Sequence, residues 1–266
     1  MTSNAQAKIG IIGGGAVGRA IAAFYPQAVV YDKYTPAEPI EKAAAAEFIF
    51  VAVPTPFQNG APDLTEMDDA ISTVAAHLTH PENQVVIIKS TVLPGTTDRY
   101  QKQYPNVNFI FNPEFLTERT AREDFAAPDK QLVGFTLKSR PVAEKVLAIL
   151  PPAPARQILP ATAAELAKYA INSFYAFKVI FGNTLYEMCA RLNVDYEFVH
   201  EALARDTRII DSHFDVTFGG YRGYGGKCLP KDIQTLAWFG REYGFDPKFI
   251  QTIIDLNDKL LAEKHL

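Results

Sequence analysis

The segment Gly223-Tyr224-Gly225-Gly226-Lys227-Cys228-Leu229-Pro230-Lys231-Asp232 sets three glycines ahead of a cysteine, with a proline, a lysine and an aspartate behind it. Proline suits the first turn of a helix. The spacing therefore predicts a helix from about Pro230 to Tyr243 with Cys228 at its N-terminus, where the helix dipole and nearby Lys231 favour thiolate. Glycines beside the thiol let a ligand approach the backbone. The chemistry this allows is nucleophilic attack by sulfur with a covalent intermediate. Cys189, the other cysteine, lies in an apolar helical run and reads as an inert core thiol.

A second constellation lies near the start. Gly13, Gly15 and Gly18 form G-x-G-x-x-G directly after the strand-like KIGII (8–12) and directly before the helical AVGRAIAAF, which Ala16 and Val17 open. Such glycines let the chain turn and approach a pyrophosphate whose charge then sits at the helix N-terminus. Asp32 ends the next strand, about 20 residues after the first glycine, where a carboxylate accepts hydrogen bonds from ribose hydroxyls. That carboxylate repels a 2′-phosphate and selects NAD over NADP; Lys33 beside it tempers the preference without reversing it.

Elements must position both constellations. Short β-branched runs at 8–12, 28–32, 47–53, 84–90, 106–111 and 131–136 alternate with helical patterns such as 64–78 and 140–150. This alternation predicts an α/β fold of Rossmann type, a doubly wound parallel sheet with helices on both faces. After the proline-rich stretch 150–160 the pattern is helix alone. The boundaries expected are a dinucleotide-binding domain over 1–160 and a helical domain over 161–266 that carries the cysteine. A very long helix runs from Thr162 to about Leu192, with Thr162 and Glu165 spaced as a capping box. Its apolar positions, from Leu166 and Tyr169 through Phe174, Phe177, Val179, Ile180 and Phe181 to Leu185, wrap much of the circumference. A helix apolar on most sides must be buried on most sides, which predicts a homodimer built on it, the alternative being burial wholly within its own subunit.

The formal net charge is -4, from acids and bases mixed along all 266 residues, so no basic face is available for nucleic acid. No window approaches the ~20 apolar residues of a membrane span, and the start shows no signal-peptide pattern. These features predict a cytoplasmic protein. The five histidines show no ligand spacing, so no metal is expected.

The cysteine segment resembles the signature of the UDP-glucose and GDP-mannose 6-dehydrogenases, and is closest to the UDP-glucose enzymes. The resemblance extends to VAVPTP (51–56), KSTVLPGTT (89–97), NPEFLTERTA (112–121), ELAKYAINSFYAFKVIFGN (165–183) and DTRII (206–210). It implies a four-electron oxidation of a nucleotide-sugar primary alcohol to a carboxylate by NAD, through a thiohemiacetal and a thioester on Cys228. It further implies that Lys168 and Asn172 stabilise oxyanions, that Thr91 and Asp232 position the hydrolytic water, and that Glu118 is the general base. Lys168 and Asn172 are also four residues apart, on one helix face. Glu114 falls in the loop that approaches substrate and water. Val53, Pro54, Thr55, Ser90 and Thr91 are implied at the cofactor; Phe115, Leu116, Phe214, Tyr224, Gly225 and Arg208 at the substrate, Arg208 in the partner subunit's site.

The sequence departs from the family twice. Only a short excursion separates Asp32 from the strand at 47–53, and the chain ends where the family leads into a third, nucleotide-binding domain. Three readings stand at this point: an active dehydrogenase whose substrate's nucleotide is held by the dimer partner, by local loops or by a separate domain; the same chemistry on another sugar nucleotide or a smaller alcohol; or a non-catalytic NAD-binding dimer or fragment.

Overall fold

The structure is a computed structural model that describes residues 7–35 and 37–263, apart from the side chain of Glu118. In chain order the elements are β1 (Ile9–Ile12), α1 (Ala16–Phe24), β2 (Val29–Tyr31), α2 (Ile40–Ala44), β3 (Phe48–Val51), β4 (Phe57–Gln58), β5 (Ala61–Pro62), α3 (Thr65–His77), β6 (Val85–Ile88), α4 (Thr96–Gln103), β7 (Asn108–Phe111), α5 (Ala121–Ala126), β8 (Lys130–Phe135), α6 (Ala143–Ile149), β9 (Ala155–Pro160), α7 (Ala161–Leu192), α8 (Tyr196–Ala204), α9 (Leu229–Glu242) and α10 (Lys248–Ala262). Two compact units result. Among the described residues one comprises 7–35, 37–56 and 62–168, the other 57–61 and 169–263.

The first unit is built on a seven-stranded sheet in the order β2-β1-β3-β6-β7-β8-β9. Strands β3 and β6 are apolar at every position because both faces are covered. Phe48, Phe50, Val85, Ile87 and Ile110 pack in one layer with residues of α1, α5 and α6. Their alternate neighbours Ile49, Val51, Val86, Ile88, Phe109 and Phe111 pack in the other layer with residues of α2, α3 and α4. Burying each such side chain contributes about 1.5–3 kcal/mol, so the alternation fixes strand register firmly.

The expectation of an all-parallel sheet fails at one pair: β7 and β8 run antiparallel, Phe111 opposite Gly134. β9 pairs parallel to β8 in the proline-rich stretch that reads as a break in texture. This edge strand tolerates Pro160 because one side of its backbone has no ladder to complete.

In the second unit α7 packs Ala176, Val179 and Ile180 against Ile233 and Ala237 of α9 and Ile253 and Ile254 of α10. Among the described residues no helix is long and apolar enough to cross a membrane. Helix α7 begins one residue before Thr162, and the expected capping box does not form: Thr162 donates to Asp98 Oδ2 at 3.0 Å, while Glu165 reaches Gly95 and Thr97.

Candidate active site

The β1–α1 turn shows why its glycines are needed. Gly13 has φ +102°, and a Cβ there would lie 2.2 Å from Ala52 O; a Cβ on Gly18 would lie 1.8 Å from Gly13 O. The first glycine makes the turn and the third lets α1 close on it. Gly15, just before α1, differs: a Cβ there meets nothing within 4 Å. That open space, at a helix N-terminus whose first N–H groups (Ala16 and Val17) lack intrahelical acceptors, fits a pyrophosphate.

Asp32, after β2, accepts from Gly14 N–H on Oδ2 at 2.7 Å and from the Tyr34 and Thr35 N–H groups on Oδ1 at 2.9 and 3.1 Å. These bonds, Gly14's foremost, hold its carboxyl below the usual range. Lys33 turns to Glu66 and Asp69 of α3, at 3.2 and 3.0 Å. The lysine's charge is thus matched by two acids. After β3 and β6, Ser90 Oγ accepts from Val53 N–H at 2.9 Å and donates to Val53 O at 2.7 Å, and Thr55 Oγ1 donates to Thr91 O at 2.7 Å. The segments with Val53, Pro54 and Thr55 and with Ser90 and Thr91 are therefore joined at the carboxyl ends of neighbouring parallel strands, where open α/β sheets bind ligands.

A buried charge cluster lies in the same unit. Lys168 Nζ donates to Glu114 O at 2.7 Å and meets Glu114 Oε1 at 3.3 Å. Glu114 Oε2 accepts from Leu116 N–H at 2.7 Å, and the Phe115 ring centroid lies 4.9 Å from Lys168 Nζ. Lys89, which sequence reasoning missed, sits directly after β6, buried, and donates to Asn112 Oδ1 at 2.9 Å. A lysine ending an apolar strand was its only local signal.

Burial pushes the Lys89 ammonium down to about 7; the Glu114 charge opposes the shift and that of Lys168 adds to it. In the unfolded chain the group keeps its ordinary 10.5. Between these limits the unfolded state binds the extra proton, so its contribution to stability is full above 10.5 and is lost as pH falls towards 7. Lys89→Met removes this slope. By urea unfolding, the parent should gain about 1–3 kcal/mol more than the variant from pH 7.5 to 9.5. Equal pH dependence would show that Lys89 stays charged in the fold.

In the second unit Cys228 is exposed and occupies the N-cap of α9, as expected. One turn on, Asp232 N–H donates to Cys228 O at 2.9 Å. The buried Asp232 carboxylate accepts from Asn172 Nδ2 on Oδ2 and from Lys231 Nζ on Oδ1, both at 2.5 Å. Lys231, expected to favour the thiolate, thus donates to the second carboxylate oxygen of Asp232, its neighbour in sequence. Cys189 is buried, as expected of a core thiol.

The other expected residues fall in several settings. The Tyr224 ring is in the α7/α9/α10 core, and its backbone N–H and C=O pair with the Asn257 amide at 2.7 and 3.0 Å. Phe214 is also buried, and its C=O accepts from Tyr196 OH at 2.9 Å. Both aromatic side chains are thus buried. Gly225 lies against Tyr221: a Cβ there would be 2.4 Å from its hydroxyl. Arg208 is exposed and paired with Asp206 at 2.5 Å. Glu118 opens a 3₁₀ turn, and its side chain lies outside the described part.

Two sequence profiles of one family match this chain: its NAD binding domain over residues 27–149 and its central domain over residues 162–259. The chain belongs to the UDP-glucose/GDP-mannose dehydrogenase family. Its first matched part is the NAD-binding domain of that family, so NAD is the cofactor. A UDP-glucose 6-dehydrogenase of Rickettsia felis is 33% identical over 219 residues, 80% of this chain and 48% of the relative. One of Haloferax volcanii is 32% identical over 79% of this chain and 51% of its own length. The chain spans about half the length of the curated relatives it matches. A solved UDP-glucose dehydrogenase from the hyperthermophilic archaeon Pyrobaculum islandicum superposes with a TM-score of 0.83 at 29% identity, covering 95% of this chain and 68% of that one.

Proposed function

We propose that this dehydrogenase-family chain carries the NAD-dependent oxidation of a nucleotide-sugar C6 alcohol to a carboxylate, of the UDP-glucose to UDP-glucuronate type. The observation that carries the proposal is Cys228 at the N-cap of α9, one turn from buried Asp232, in a chain with a dinucleotide-binding unit. Oxidation of an alcohol to a ketone has no use for a thiol, whereas oxidation to an acid does.

When bound, NAD would accept one hydride, and a second NAD taking its place would accept the other. Gly13, Gly15, Gly18 and the α1 amides of Ala16 and Val17 would hold its pyrophosphate, and Asp32 would take the adenosine ribose. Val53, Pro54, Thr55, Ser90 and Thr91 complete the binding surface beside Lys33. The alcohol loses a hydride and a proton and becomes an aldehyde. The Cys228 thiolate adds to the aldehyde carbon, forming the C–S bond, and the oxygen becomes an oxyanion. Lys168 and Asn172, one turn apart on α7, stabilise that oxyanion. Loss of the second hydride re-forms the carbonyl as a thioester. Water positioned by Thr91 and Asp232, with Glu118 as general base, adds to the thioester, breaks the C–S bond and returns the thiolate. Glu114, Phe115, Leu116 and Gly225 belong to the segments that approach the substrate.

UDP-glucose is the substrate that both relatives' names support. The test follows NADH absorbance with purified protein, NAD and a panel of UDP-glucose, GDP-mannose, UDP-N-acetylhexosamines and simple sugar alcohols. Two NADH per sugar consumed is the expected result. One NADH per sugar overturns the four-electron reaction, and silence across the panel despite NAD binding overturns turnover by this chain.

The reading includes a homodimer with Arg208 reaching the partner's site. In its support, α7 leaves Phe174, Phe181 and Met188 exposed at 57, 41 and 55%. A spacing of seven residues keeps these on one stripe, suited to a facing helix. Sedimentation at micromolar concentration with NAD present should show a dimer, and Phe181→Glu should shift it to monomer. A parent that sediments as a monomer throughout refutes it.

A further inference from the structure

Glu165 is assigned no step in the chemistry above, and it does not cap its own helix. Its carboxylate is fully buried and reaches 68 to 70 residues back along the chain. Oε2 accepts from Gly95 N–H at 2.6 Å. Oε1 accepts from Thr97 N–H at 2.8 Å and from Thr97 Oγ1 at 2.6 Å. These amides are the opening donors of α4, which every helix must satisfy from outside its own ladder. The residue at the N-cap of α4 is Gly95, with φ +93°, so no local side chain can do so. A carboxylate delivered from α7 caps α4 and also ties it to α7, with the added strength of a charged acceptor.

The two ends of this tie lead to residues of the proposed reaction. Gly95 is four residues beyond Thr91 in an unbroken loop, and Glu165 precedes Lys168 by three residues on α7, on the same helix face. We infer that Glu165 is a positioning residue: by clamping the start of α4 to α7 it fixes the Thr91 segment relative to the helical turn that carries Lys168. The inference rests on the reading of Thr91 and Lys168 given above.

The test compares the parent with Glu165→Gln, Thr97→Val and the double variant at pH 8, above the value of about 7 to which burial raises the Glu165 carboxyl. Glutamine keeps the size but turns an N–H₂ towards N–H donors. Valine removes only the hydroxyl contact, and serves where Glu165→Gln does not fold. Amide hydrogen exchange over 91–97 is read by mass spectrometry, and kcat, KM and NAD affinity are read on the same samples. Glu165→Gln is expected to speed exchange over 91–97 by about tenfold, with the rest of the sheet unit protected as before. It is expected to lower kcat by about tenfold, with KM and NAD affinity within about twofold. Thr97→Val gives a smaller effect of the same kind, and the two do not add in the double variant. Unchanged exchange over 91–97 overturns the inference, as does faster exchange with kcat per folded molecule unaltered. A parent without turnover sinks the dehydrogenase reading instead, and with it the link to catalysis, while the exchange arm still reports whether the tie exists.

Discussion

Cys228→Ser abolishes release of the carboxylate product while leaving NAD affinity within about twofold of the parent. Serine is among the residues most favoured at a helix N-cap, and Cys228 occupies that position on α9, so the substitution leaves the helix start intact. What changes is the nucleophile. A thiolate is available near neutral pH at the positive end of a helix dipole, whereas a serine hydroxyl needs a strong base to give up its proton. Without a covalent adduct the aldehyde has no route to a thioester, and the second hydride and the hydrolysis both fail. Single removals of a covalent nucleophile elsewhere cost many powers of ten, so a fall of about 10³-fold or more in acid formation is expected. Isothermal titration with NAD and end-point assay of carboxylate check the two halves separately. Acid formed at the parent rate would refute the covalent route.

The next largest effects fall on the glycine turn, where two substitutions of identical size should behave differently. A methyl on Gly18 would stand 1.8 Å from Gly13 O. The obstructing carbonyl is backbone, so nothing flexible yields, and α1 must withdraw from the β1 turn. Overpacking of this kind costs about 1–3 kcal/mol or more, and the displaced helix loses the anion site as well. Gly18→Ala should therefore lower Tm by several degrees and weaken NAD binding by about 100-fold, or about 2.7 kcal/mol.

A methyl on Gly15 meets no atom within 4 Å, and the φ of -68° there suits any residue. Gly15→Ala should leave Tm unchanged, yet it should weaken NAD by about tenfold or more, because the methyl takes space that the pyrophosphate needs. Differential scanning calorimetry and NAD titration on the pair decide this. If Gly15→Ala binds NAD like the parent, the pyrophosphate does not sit at this turn.

Legibility followed the distance over which each feature is encoded. Cys228 at the start of α9, the glycine turn into α1 and Asp32 after β2 were readable because each depends on contiguous backbone: a proline in a first turn, glycines between strand and helix, an acid at a strand end. The strands of the sheet centre were readable as well, since burial on both faces demands unbroken apolar runs. Lys168 and Asn172 shared a face of α7 by helical period alone.

Tertiary structure decided the rest. The direction of β8, the pairing of proline-bearing β9, the burial of the Tyr224 ring, and the engagement of Lys231 by Asp232 were not written in local pattern. Glu165 shows the physical reason most clearly. Its spacing from Thr162 matches a capping box, but the open donors of α4 and the burial of the site gave its carboxylate better partners 68 to 70 residues away. Lys89 likewise looked like the polar end of a strand until the fold enclosed it beside Glu114 and Lys168. Sequence by itself determined which groups can do chemistry and on which elements they stand. The fold determined which charges are buried and what each one faces, because a buried polar group takes the partners that three-dimensional packing brings within hydrogen-bond reach, wherever they lie along the chain.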